Sequence, residues 1–177
     1  MKIMLRWTAT FASTLALLAC ATPAQAEPFR YGPYKIASDA SCLQLNTSGA
    51  IVVKSCGVDN RTSWVFTETA NGRYVVIQNT VTSTCLAPAT VGSSLAPVNC
   101  NRLDSSQAWL VYTRDNGATM SLRNSPDSAS SCLTITTPNA QGTHTVRLQT
   151  CGSTTTVNAA QSWTMIPTKA DKPHPLP

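Results

Sequence analysis

The stretch that decides the fold runs from Thr84 to Trp109 and reads TCLAPATVGSSLAPVNCNRLDSSQAW. It holds Thr84-Cys85-Leu86, a second cysteine at Cys100, and Gln107-Ala108-Trp109. The same order of residues stands upstream as Ser41-Cys42-Leu43, Cys56 and Ser63-Trp64. It stands again downstream as Ser131-Cys132-Leu133, Cys151 and Gln161-Ser162-Trp163. The leading cysteines are 43 and 47 residues apart, and the tryptophans 45 and 54 apart. A unit of this length, present three times, is the mark of a repeat architecture.

Each unit contains the same short apolar runs. Tyr34-Lys35-Ile36, Tyr74-Val75-Val76-Ile77 and Met120-Ser121-Leu122 precede the first cysteines. Ile51-Val52-Val53, Leu95-Ala96-Pro97-Val98 and Val146-Arg147-Leu148 precede the second cysteines. Trp64-Val65-Phe66, Trp109-Leu110-Val111-Tyr112 and Trp163-Thr164-Met165-Ile166 follow, and the Cys-Leu segment supplies a fourth run. Strand-forming residues in short runs, separated by Gly, Ser, Thr, Asn and Asp, predict an all-β chain. No helical periodicity stands out past the first residues. Four strands per unit excludes helical arrays, and three units fall short of a propeller, which has about four to eight blades. A closed threefold barrel capped by hairpins is the simple solution that remains.

The cysteines within a unit are 14, 15 and 19 positions apart, which predicts the pairs Cys42–Cys56, Cys85–Cys100 and Cys132–Cys151. Zinc is a poor alternative, because no pair has the close C-x-x-C spacing. Disulfides call for export, and the N-terminus reads that way. Lys2 and Arg6 precede an apolar run from Trp7 to Leu18, and Ala24-Gln25-Ala26 forms a small-x-small cleavage site. The run is short for a membrane span, which needs about 20 apolar residues. Leu17-Leu18-Ala19-Cys20 also resembles a bacterial lipobox, in which Cys20 is lipidated. Cleavage after Ala26 predicts a free exported protein, and lipidation of Cys20 an envelope-tethered one. The remaining chain has single-domain size.

The formal net charge of +5 falls once Lys2 and Arg6 leave with the signal. The other basic residues are scattered singly, so no nucleic-acid partner is expected. No cofactor or metal is expected either. The ending Lys172-Pro173-His174-Pro175-Leu176-Pro177 reads as a disordered tail.

Three Cys-Leu, Cys, Gln-x-Trp units in register resemble the ricin B-type lectin domain over roughly residues 29–167, with Thr62 replacing the glutamine in the first unit. The resemblance implies a β-trefoil of three pseudo-symmetric four-stranded repeats, with boundaries near 29–72, 73–117 and 118–167. It implies one disulfide per repeat and core roles for Trp64, Trp109 and Trp163. The signal occupies 1–26 and the tail 168–177.

The resemblance also implies carbohydrate binding. A galactose-type pocket of this family uses an Asp two residues after the first cysteine, where this chain has Gln44, Ala87 and Thr134. It uses an aromatic platform two residues before the second cysteine, where Lys54, Val98 and Gln149 stand. It uses an Asn ahead of the Gln-x-Trp glutamine, where Arg61, Ser106 and Ala160 stand. No repeat keeps the set. Repeat three, with Thr134, Gln149 and Gln161 and a loop carrying Asn139, Gln141, Gly142 and His144, is the best candidate. The alternative is that these are ordinary loop and fold residues.

Catalysis has little support. His144 and His174 are the only histidines, and no nucleophile elbow, His-Glu-x-x-His or phosphate loop is present. The expected function is therefore an exported lectin-like module that binds a glycan or glycoconjugate. The alternative is a protein-binding accessory subunit of a bacterial toxin, resembling the ricin-like subunits of cytolethal distending toxin. A trefoil protease inhibitor is a third reading, but no reactive loop marks it. Contact with a membrane is expected only through a lipid on Cys20.

Overall fold

The computed structural model describes residues 29–88, 94–114, 118–124, 131–152 and 158–168. The export segment with Cys20, and the tail with His174, lie outside the described residues. Twelve strands form in chain order. They are β1 Arg30–Ser38, β2 Ser41–Leu45, β3 Ile51–Ser55 and β4 Ser63–Glu68; β5 Val75–Asn79, β6 Thr84–Pro88, β7 Leu95–Asn99 and β8 Trp109–Arg114; and β9 Thr119–Asn124, β10 Ser131–Ile135, β11 His144–Thr150 and β12 Thr164–Pro167.

Six of them close a ring. β1 pairs β4, β4 pairs β5, β5 meets β8, and β8 pairs β9. A bridge from Met120 to Trp163 joins β9 to the last repeat, and β12 returns to β1. The other six strands form three hairpins, β2–β3, β6–β7 and β10–β11, which cap the ring. This is a β-trefoil, all-β with a disulfide in each repeat. Closing the ring pairs each of its strands with neighbours on both sides among the described residues.

The core follows from side chains recurring at matched places. Trp64, Trp109 and Trp163 are fully buried, as are Leu43, Leu86 and Leu133 beside the leading cysteines. Ile36, Ile77 and Leu122 complete the set. The strands alternate as half-buried strands should. In β11, Val146 and Leu148 point inward while Thr145, Arg147 and Gln149 face out. One close approach demands a glycine. Gly32 sits at the irregularity of β1 with φ of +109°, and a Cβ there would meet the Trp64 carbonyl oxygen at 3.0 Å.

Disulfides join Cys42 to Cys56, Cys85 to Cys100 and Cys132 to Cys151. Each ties the first strand of a cap hairpin to the end of its second strand.

Candidate functional site

A hydrogen-bond network surrounds each repeat tryptophan. The indole Nε1 of Trp64 donates to the Leu43 carbonyl at 2.9 Å, that of Trp109 to Leu86 at 3.2 Å, and that of Trp163 to Leu133 at 3.1 Å. A single 3-10 turn precedes each ring: Asn60–Thr62, Ser105–Gln107 and Ala159–Gln161. Asp59, Asp104 and Asn158 cap these turns by accepting from the backbone N–H two residues on. The Ser106 hydroxyl and backbone N–H, with Gln107, hold the Asp104 carboxyl below the usual carboxylate range.

The Gln-x-Trp glutamines belong to this network. The Gln107 Oε1 accepts from Asn101 N–H at 2.9 Å, and its Nε2 donates to the Asn99 carbonyl at 3.0 Å. The Gln161 Oε1 accepts from Gly152 N–H at 2.8 Å, and its Nε2 donates to the Thr150 carbonyl and the Thr134 hydroxyl, both at 3.0 Å. Each glutamine thus staples the strand end near the second cysteine to the turn before the tryptophan. Thr62 is too short for that reach, and its hydroxyl donates locally to the Asp59 carbonyl.

The sequence-predicted sugar trio is split by this arrangement. Thr134 and Gln161 are buried, and Thr134 donates its own proton to the Cys132 carbonyl at 2.9 Å. Their polar atoms are spent on one another and on backbone. Gln149 alone faces solvent, on β11 opposite Cys132. The neighbouring loop is also occupied with itself. The Asn139 side chain accepts from Gln141 and Thr143 N–H, and His144 Nδ1 lies 2.7 Å from the Thr136 carbonyl. In repeat two Ala87 is buried and Val98 half-buried, and in repeat one Lys54 is exposed. Among the described residues no group of three or more His, Cys, Asp or Glu side chains is placed to hold a metal.

Gln161→Ala and Gln149→Ala separate the two kinds of residue. Gln161→Ala removes two part-buried bonds to backbone and a buried one to the Thr134 hydroxyl, and is expected to lower stability by about 1–3 kcal/mol. Gln149→Ala, on the surface, is expected to stay within about 0.5 kcal/mol of the parent chain. Urea unfolding of both variants reads the contrast directly.

Two features escaped a reading made along the chain. Asn79 and Asn124, at the ends of β5 and β9, each donate to one carbonyl within the neighbouring 3-10 turn and one just after it. Their signal is an Asn at the end of the same strand in two repeats. The other feature is Tyr112 on β8, which is 40% exposed, with the Arg123 guanidinium carbon 4.6 Å and that of Arg114 5.8 Å from its ring centroid. The β4–β5 turn is flanked by two cavities. One of about 200 Å³ is lined by Thr69, Tyr74, Arg102 and Ser105, and one of about 250 Å³ by Glu68, Arg73 and Leu110.

The family model of the cytolethal distending toxin A/C domain matches residues 65–175. The chain belongs to that family. No curated protein sequence matches this A/C-domain chain. Solved structures share its fold. The Haemophilus ducreyi cytolethal distending toxin superposes with a TM-score of 0.61 at 16% identity, covering 78% of this chain and 83% of that one. The ricin B-like lectin of Macrolepiota procera, solved with lactose, gives 0.59 at 15% identity over 81% and 98%. The designed threefold symmetric protein ThreeFoil gives 0.62 at 10% identity over 75% and 96%.

Proposed function

We propose that this A/C-domain chain is an exported, non-catalytic recognition module that binds glycans on a cell surface within a toxin-type assembly. The observation that carries the reading is the family match over residues 65–175, which falls on a trefoil shared with a lactose-binding lectin. Fold alone would not suffice, since function resides in the site. Segment 1–26 serves export in this reading, with release after Ala26 or lipid attachment at Cys20. The ring and its three hairpin caps supply a rigid platform, and rigid platforms bind surfaces without large ordering costs.

One observation favours a second reading, a protein-binding accessory subunit with no sugar site. The platform positions hold Lys54, Val98 and Gln149 in place of a ring, and Thr134 and Gln161 are spent inside the fold. A glycan-array screen of the exported, oxidised chain decides between the two. Reproducible binding to one sugar class is the expected result. A blank array from a chain that unfolds cooperatively supports the accessory-subunit reading, and co-purification with secreted partners then becomes the measurement.

A further inference from the structure

The β8–β9 hairpin carries a feature its two counterparts lack. By register Leu110 faces Arg123, Tyr112 faces Ser121, and Arg114 faces Thr119, so these side chains share one face of the hairpin, on which Tyr112 is exposed and Ser121 buried. Trp109, Val111 and Thr113 take the opposite face. The exposed Tyr112 ring therefore has Arg114 two residues along its own strand and Arg123 diagonally across.

The trefoil is its own control. Counting from the repeat tryptophan, Tyr112 corresponds to Thr67 and Ile166, and Arg114 to Thr69 and Thr168. Arg123, paired with Leu110, corresponds to Gln78 paired with Val65 and Ala37 paired with Thr164. The same strand pair is thus built twice without a ring or a cation at these places. Nothing in the fold asks for either.

Two guanidiniums beside one ring also carry a cost. Like charges repel, and here the Nε atoms of both Arg114 and Arg123 are shielded from water with no hydrogen-bond partner. An unpaired shielded donor on a charged group is unfavourable. Cation–π contact with Tyr112 offsets part of this and holds the forks in place. A ligand that brought an anion to the guanidinium ends would balance the two like charges. Arginine forks match planar oxyanions in a two-bond geometry, which lysine cannot reproduce. The exposed part of the Tyr112 ring offers an apolar surface to the C–H face of a sugar.

We propose that Tyr112, Arg114 and Arg123 form a subsite for an acidic saccharide, a sugar ring bearing a carboxylate or a sulfate group. The subsite rests on the glycan-binding reading above and names the class of glycan. Arg123 also pairs with Cys132 of β10, whose other partner is Gln149, so the subsite adjoins the repeat-three cap hairpin.

The test is binding of the exported, oxidised chain to matched saccharides by biolayer interferometry. The panel holds a sialylated oligosaccharide, its desialylated partner, a sulfated version of the same core, and polyglutamate as an anion without sugar. The parent chain is expected to bind at least one acidic sugar at least tenfold more tightly than the neutral one, and the carboxylate and sulfate arms show which group is taken. Arg114→Gln/Arg123→Gln is expected to remove that preference tenfold or more. Arg123→Lys, which keeps the charge and the packed stem, is expected to lose most of it, so that the result does not hang on a variant that folds poorly. An acidic-sugar preference that survives the double substitution, or a parent chain that binds neutral and acidic sugars equally, overturns the subsite and leaves the glycan reading standing. Retention of polyglutamate equal to that of the acidic sugars overturns it as well, by reducing the patch to plain charge. A panel with no binding at all overturns the subsite together with the glycan reading.

Discussion

Trp109→Ala is expected to lower the unfolding free energy by about 3–5 kcal/mol. Trp109 has no exposed surface, and it lies where β8 meets β5, opposite Val75. Truncation removes the largest side chain of the second repeat and leaves a cavity that the closed ring collapses around poorly. It also strands the Leu86 carbonyl, which accepts the indole proton at 3.2 Å inside the fold. The two losses can be separated. Trp109→Phe keeps much of the apolar volume but drops the N–H, and its cost is expected to approach the penalty for one unsatisfied buried acceptor, about 1–3 kcal/mol. Equilibrium urea unfolding followed by circular dichroism measures both. A near-neutral Trp109→Ala would mean that the ring is not held in the core.

Reduction of the disulfides has the second large effect. Their loops span 14, 15 and 19 residues, and the chain-entropy model assigns about 3 kcal/mol to a loop of this length. Replacing any one pair by alanine is expected to cost about 2–4 kcal/mol. Loss of all three approaches the whole stability of a domain of this size, about 5–15 kcal/mol. The oxidised chain should therefore unfold cooperatively, and the same chain in excess reductant should be largely unfolded at 37 °C. An unchanged urea midpoint after verified reduction would show that the apolar core alone is sufficient. The three pairs should contribute nearly equally, because loop-closure entropy depends only logarithmically on length.

The fold was legible because its determinants are local and recur. An apolar run of alternating residues states a strand, and a small polar cluster states a turn. Three copies of one order state a threefold closure. The partners of each cystine are neighbours in sequence, so the repeat itself points to them. The tryptophans were legible for a related reason. A large ring found at one place in every unit has to pack at the shared centre.

The candidate site was legible only in part, and particular residues show why. Thr134, Gln149 and Gln161 look alike along the chain, being polar groups in one repeat. Their roles separate only after folding, because Gln161 reaches across 27 residues to the Thr134 hydroxyl while Gln149 points the other way from its strand. Polarity states that a group wants a partner, and tertiary structure decides whether that partner is backbone or solvent. The same holds for Asn79 and Asn124, whose carbonyl partners lie on the preceding 3-10 turns.

By itself, then, the amino-acid sequence determined the all-β threefold architecture, one cystine per unit and the aromatic centre. Each of these depends on residue type at a fixed local spacing. Only the tertiary structure decided which polar side chains are spent inside the molecule, and that Tyr112 lies beside both Arg114 and Arg123. Arg123 meets Tyr112 through the register of two antiparallel strands, and a pairing register is set by which face is buried together with the turn that joins the strands.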